Sequence, residues 1–238
     1  MKLHYGSLSS SSRRVRITAR LLGLNLEEVS VDLRDPAQRV ELTRLNPNSK
    51  VPVLVDGNFV LWESIAIMQY FCDRTPSQKL YPTDARERAE VNRWLSWSQA
   101  HWAPPIGNLG WEHAWKKFVT GEGPDMAQVK RHEAVLAQFA KVLDEHLGQR
   151  ASVTSSGPSP WIVGDSLTLA DIAIAPPLLM TKLARLPLQP YANLRSWFAR
   201  VQALPEWVAT EPRQLAQLEA QFAGSGAVEP ARGLRPEA

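Results

Sequence analysis

The hydrophobic pattern of this 238-residue chain changes once, and the change limits what each side can fold into. Up to Arg74, short alternating runs take turns with stretches of helical spacing, whereas from Ala85 onward only helical spacing remains. The stretch 75–84 between them holds Pro76 and Pro82 and reads as a connection. Such a chain draws its whole sheet from the first third and builds the rest from helices.

Residues 2–6 read as a strand, and residues 12–23 space Val15, Ile17, Ala19, Leu21 and Leu22 along a helix that Gly23 closes. Residues 27–33 alternate Val29, Val31 and Leu33 with polar neighbours, a second strand, and residues 36–45 form a short helix with Pro36 in its first turn. The first two strands are then parallel, through a right-handed crossover. Residues 51–55 and 59–62 pair as a hairpin, because Asp56-Gly57-Asn58 offers positive φ between two apolar runs, and residues 63–74 follow as an amphipathic helix.

The expected class is α+β: a βαβαββα thioredoxin-like domain with a mixed four-stranded sheet over 1–76, a linker at 77–84 and an all-helical domain over 85–222. Helices are expected at 86–103, 126–147, 169–186, 194–204 and 205–222. Residues 151–160 read as a Ser/Pro-rich loop, and 223–238, poor in apolar residues, as a disordered tail.

Composition excludes several function classes. The net charge of +3 comes entirely from residues 1–80, with 11 Lys/Arg against 8 Asp/Glu, while the remainder carries 16 of each. That excess is too small and too scattered for nucleic acid, which demands clustered cations, but it suits a small anionic ligand. No apolar run reaches the roughly 18 residues of a membrane span, and the first residues lack a signal-peptide core, so a cytoplasmic protein without a membrane partner is expected. Cys72 is the only cysteine, which excludes internal disulfides, thiolate metal clusters and paired-cysteine redox chemistry; it is read as a core residue.

Three features carry chemistry. Pro52 opens a strand where its missing N–H would damage a ladder, so the chain there forms either an ordinary edge proline or a cis bond that turns the Val51 backbone groups outward, free to pair with an extended peptide. Glu63-Ser64 stands at a helix start, where backbone N–H groups and the Ser64 hydroxyl favour a carboxylate and Glu63 an ammonium; plain helix capping is the alternative. Lys50 could meet a second carboxylate. Finally, Ser9, Ser10, Ser11 and Ser12 lie between a strand and a helix N-terminus, where negative charge is stabilised. No base flanks them, since His4 lies in a strand, so a hydrolase is excluded and a hydroxyl that donates to a ligand thiolate remains.

With these residues the chain resembles a cytosolic glutathione transferase over residues 1–222. The resemblance implies that Pro52 is the cis-proline, Val51 the residue that pairs with the cysteinyl unit of glutathione, and Glu63 and Ser64 the pair that holds its γ-glutamyl group. Aligning Arg14-Val15-Arg16 with the helix start of the serine-type classes (theta, phi and zeta) places Ser9 on the activating hydroxyl, with Ser10 and Ser11 as alternates. A zeta-type Ser-Ser-Cys pattern would need cysteine where Ser11 stands. The resemblance further implies glutathione as co-substrate, no metal, a homodimer, and a role in detoxification. Five tryptophans, Trp94, Trp97, Trp102, Trp111 and Trp115, fall in a segment that faces the electrophile pocket in this family. Trp94 and Trp97 read as core, while Trp102 and Trp111, which flank Pro104-Pro105 where the helix should break, are expected to line the pocket with Leu8. A glutathione-dependent peroxidase or disulfide reductase, and a non-catalytic interaction module on the same fold, are the rival readings. The stretch Trp161-Ile162-Val163-Gly164-Asp165-Ser166-Leu167-Thr168-Leu169-Ala170-Asp171 resembles the family's helix-capping signature, and Thr168 and Asp171 are spaced as a capping box.

Overall fold

The structure, a computed structural model, describes residues 1–153 and 160–224. Most of the expected Ser/Pro-rich loop and the expected tail beyond Gly224 lie outside the described residues.

Four strands form one sheet in the order β2-β1-β3-β4: β1 (Lys2–Tyr5), β2 (Glu27–Ser30), β3 (Val53–Asp56) and β4 (Phe59–Trp62). β1 and β2 are parallel, with Lys2 opposite Glu27, as a strand–helix–strand crossover requires. β3 runs antiparallel to both β1 and β4. Asp56 pairs with Phe59, so the hairpin loop is Gly57-Asn58, and Gly57 supplies the positive φ at 59°. Helices α1 (Ser10–Leu21) and α3 (Ser64–Arg74) pack on each other, while α2 (Pro36–Leu45) buries only Leu42.

The first helix begins two residues earlier than its apolar stripe indicates. The Ser9 side chain accepts from Ser12 N–H at 3.1 Å and caps it, so Ser10 and Ser11 join Ser12 in the first turn instead of preceding the helix.

From Ala85 on, the described chain is helical: α4 (Ala85–Trp97), α5 (Ala103–Gly110), α6 (Lys116–Thr120), α7 (Met126–Val153), α8 (Leu169–Ile174), α9 (Ala192–Gln202), α10 (Pro205–Ala209) and α11 (Leu215–Gly224). The helix does not break at Pro104-Pro105. A π-helical turn, Ser98–Trp102, precedes the pair, and Ala103 N–H reaches back five residues to the Ser98 carbonyl. The widened turn takes both prolines into the first turn of α5, where their missing N–H groups cost little. A second π-helical turn, Trp111–Trp115, joins α5 to α6. Prolines do interrupt two expected long helices. Pro176 and Pro177 end α8 and start a 3₁₀ turn, Pro176–Met180, and Pro212 falls between α10 and α11. α7 continues to Val153, into the stretch read as loop.

The capping box forms as expected, and the structure gives it a wider role. The fully buried Asp171 carboxylate accepts from Thr168 N–H (3.0 Å) and from the Thr168 hydroxyl, and also from Ile162 N–H (3.0 Å) and Trp197 Nε1 (2.9 Å). One side chain ties the 160s loop to α8 and α9. Burial pushes its pKa up, and these hydrogen bonds pull it back down. Replacing Asp171 with Ala strands several buried donors, so Asp171→Ala should cost about 3 kcal/mol or more, read by circular dichroism as a fall in Tm of roughly 6–12 °C.

Candidate active site

The antiparallel register decides where the chemistry gathers. His4 lies opposite Val53, and Val53 opposite Trp62, so the exit of β1, the entry of β3 and the exit of β4 share one end of the sheet. Ser9 follows the first, Val51-Pro52 precedes the second, and Glu63-Ser64 follows the third.

Gly6 is the point of closest approach. A Cβ on it would lie 3.1 Å from Val51 Cγ2 and 3.4 Å from Ser9 Cβ, so the turn after β1 is pressed between the serine cap and the Val-Pro segment. Gly6 N–H donates to the Ser12 hydroxyl (3.1 Å), and Ser9 N–H to the Gly6 carbonyl (3.1 Å), fixing that turn. Ser9, Ser10 and Ser11 are half-buried and Ser12 is fully buried. Because the Ser9 oxygen accepts the capping bond, its own O–H proton is left to donate outward.

The Val51-Pro52 peptide bond is cis, with Pro52 buried and Val51 half-buried. The loop before it is held by Asn46, 3% exposed, whose side chain donates to the Lys50 carbonyl (2.7 Å) and accepts from Asn48 N–H (3.0 Å). Lys50 itself is exposed. Glu63 is the N-cap of α3 at φ 73°, an uncommon conformation for a residue with a side chain, and its carboxylate makes no capping bond; simple capping is therefore not its role. Ser64 begins α3 and is 2% exposed. The described residues include no group of three or more His, Cys, Asp or Glu that could hold a metal ion.

The N-terminal domain model of the glutathione S-transferases matches residues 8–74, and the C-terminal domain model matches residues 85–200. Glutathione S-transferase F10 of Arabidopsis thaliana is 31% identical over 175 residues, covering 72% of this chain and 77% of that protein. A probable maleylacetoacetate isomerase of Caenorhabditis elegans is 30% identical over 204 residues, covering 86% and 89%. The chain belongs to the glutathione S-transferase family. Its activity is that of a glutathione transferase. Among solved structures, a delta-class glutathione transferase of Nilaparvata lugens superposes with a TM-score of 0.76 at 29% identity, covering 93% of this chain and 98% of that one.

Two arginines of this transferase, read from sequence only as charge and as an alignment mark, are buried beside the site. Arg13 and Arg14 are each 1% exposed. Arg13 donates to the Trp207 carbonyl (2.8 Å) and to Thr210 Oγ1 (3.3 Å), with its guanidinium 3.8 Å above the Trp207 ring. Arg14 donates to Gln99 Oε1 at 2.8 Å. Burial lowers both pKa values to about 10, so both remain cations at neutral pH. Consecutive arginines on an otherwise apolar stripe signal this burial only in retrospect, because arginine is rarely interior.

Trp102 does not line a pocket. It is fully buried, stacked on Trp97 at 5.6 Å, with its indole N–H donating to the Ile174 carbonyl (3.0 Å). The π-helical turn that absorbs Pro104 and Pro105 rotates it into the core. Trp94 is core, as expected, whereas Trp111 is 38% exposed and Leu8 half-buried, leaving both accessible. Cys72 is buried with its thiol pushed up to about 12 by desolvation, which suits a core residue and leaves it without a reactive thiolate. Trp102→Ala should therefore cost about 3–5 kcal/mol in thermal or denaturant unfolding, while Trp111→Ala stays within about 0.5 kcal/mol of wild type.

Proposed function

We propose that Ser9 donates a hydrogen bond to the sulfur of glutathione, and that the resulting thiolate attacks a hydrophobic electrophile held by Leu8 and Trp111. The observation that carries this reading is the approach of Ser9 and Val51 on either side of Gly6, which brings the hydroxyl within one residue's width of the backbone edge that would pair with the cysteinyl unit. Val51 and Pro52 present that edge, Glu63 accepts from the γ-glutamyl ammonium, Ser64 and the first amides of α3 receive the γ-glutamyl carboxylate, and Lys50 meets the glycyl carboxylate.

The energetics are sufficient. Lowering a thiol pKa from about 8.5 by two units takes roughly 2.7 kcal/mol. A hydrogen bond to a charged acceptor supplies about 1.5–3 kcal/mol, and the N-terminus of α1 about 0.3–1 kcal/mol. No base is needed, because the thiol proton leaves to solvent before reaction. In the transfer step the sulfur lone pair forms the new S–C bond while the leaving group departs with its bonding pair. With Ser11 where a zeta-type site would carry cysteine, the transferase reading is preferred to isomerisation.

Residues 1–76 are assigned to glutathione and 85–222 to the electrophile, with 77–84 between them. A reducing compartment, the cytoplasm, suits a chain whose one thiol is buried, and detoxification suits transfer of glutathione to a hydrophobic electrophile. A homodimer is supported by edge strand β4, which exposes Phe59, Val60 and Trp62 and would otherwise leave an apolar edge in water. Light scattering should give twice the mass of one chain, and Phe59→Glu half that value; a wild-type monomer would reject the dimer.

Ser9→Ala should lower turnover of an aryl halide at least tenfold and raise the pKa of bound glutathione by one to two units, with glutathione affinity nearly unchanged. Ser9→Thr, which keeps both cap and hydroxyl, should retain activity. Unchanged turnover in Ser9→Ala would reject Ser9 as the activating hydroxyl. Wild-type protein that neither binds immobilised glutathione nor turns over any electrophile would favour an interaction module instead.

A further inference from the structure

Arg14 stands on α1 five residues after Ser9, 1% exposed. Removing a guanidinium from water is unfavourable unless hydrogen bonds and a countercharge replace what is lost. Among the described residues its side chain donates to the neutral amide of Gln99 (2.8 Å), and its Nε is buried with no hydrogen-bond partner there. No carboxylate forms an ion pair with it among those residues. Glu63 is the N-cap of α3, the helix that packs directly on α1; burial lowers the Arg14 pKa, and the charge of Glu63 pulls it part of the way back up. Glu63, in turn, sits at φ 73° with a carboxylate that makes no capping bond to its own helix. A buried cation with no ion pair among the described residues and an acid that makes no capping bond thus stand on two helices that pack together.

We propose that Arg14 is a positioning residue for the γ-glutamyl site: fixed by Gln99, its buried charge orients the Glu63 carboxylate toward the ammonium of glutathione and away from the α3 amides. The helical part of the chain, through Gln99, thereby tunes how tightly the sheet part holds glutathione. Arg14 touches neither the sulfur nor the electrophile, so its effect falls on binding and spares the chemical step. This inference rests on the reading of Glu63 given above, and its test separates the two.

The test is a double-mutant cycle on the full chain with Arg14→Met, Glu63→Gln and the pair, reading glutathione KM and kcat with an aryl halide. Arg14→Met should raise the glutathione KM about tenfold with kcat within about twofold, and the double variant should be no worse than Glu63→Gln alone, because both changes remove one coupled interaction. Arg14→Lys, which keeps the charge, should recover to within about threefold of wild type. Additive effects, or an equal fall in kcat, would overturn the positioning role while leaving the Glu63 reading intact. A Glu63→Gln variant with wild-type KM would overturn the Glu63 reading itself, and the Arg14 role with it. If Arg14→Met fails to fold, Gln99→Leu, a change at an exposed side chain, should raise KM about threefold in wild type and not at all in Glu63→Gln; an unchanged KM in the wild-type background would overturn the proposal.

Discussion

Two adjacent guanidiniums inside α1 set the geometry on which the rest of the molecule depends. Successive helical residues point about 100° apart, so Arg13 and Arg14 leave the same helix toward different neighbours. Arg13 reaches the α10 segment at Trp207 and Thr210, while Arg14 reaches Gln99 in the π-helical turn after α4. Each buried charge carries a desolvation cost of several kcal/mol, recovered only when its partners sit in place. α1 is therefore located by the helical part of the chain as firmly as by the sheet, and Ser9, its N-cap, is located with it.

The candidate site is made from turns instead of regular elements. Three connections meet at one end of the sheet, and two of them carry non-glycine residues at positive φ, Ser49 at 51° and Glu63 at 73°. Such conformations cost on the order of 1–3 kcal/mol each and persist only where surroundings over-determine them. For the first, Asn46 provides the surroundings, gripping the Lys50 carbonyl and the Asn48 amide. For the second, they are the packing of α3 on α1 and the hairpin that delivers the chain from β4. What results is a set of backbone turns gathered at one end of the sheet, each held in place by packing or by a buried side chain.

Much of this was legible beforehand. The strand–helix alternation, the Asp56-Gly57 hairpin and the Thr168–Asp171 box all depend on local chemistry: period, positive φ, a side chain three residues away; the missing N–H of Pro52 left an edge proline and a cis bond both open, and the bond is cis. Errors came where a distant partner outweighed a local rule. Pro104-Pro105 reads as a helix break, yet widening one turn costs less than ending a helix whose apolar faces are buried on α7 and α8. That same turn moved Trp102 from the expected pocket into the core, with Ile174 as hydrogen-bond partner. The apolar stripe starts the first helix at residue 12, but Ser9 caps it and Ser12 serves Gly6, so Ser10 and Ser11 are absorbed into α1 as well.

By itself, the sequence determined the class of fold, the parallel crossover and the positions of the turns, because each of these follows from interactions within a few residues, and the resemblance to a transferase named the residues expected to hold glutathione. Only the tertiary structure decided which of those residues meet. The register of β1, β3 and β4 brings Ser9, Val51 and Glu63 to one end of the sheet, and the packing of α1 on α3 and on the helical part of the chain buries Arg13 and Arg14. Those juxtapositions depend on close packing between segments some fifty residues apart, and no local pattern in the chain records them.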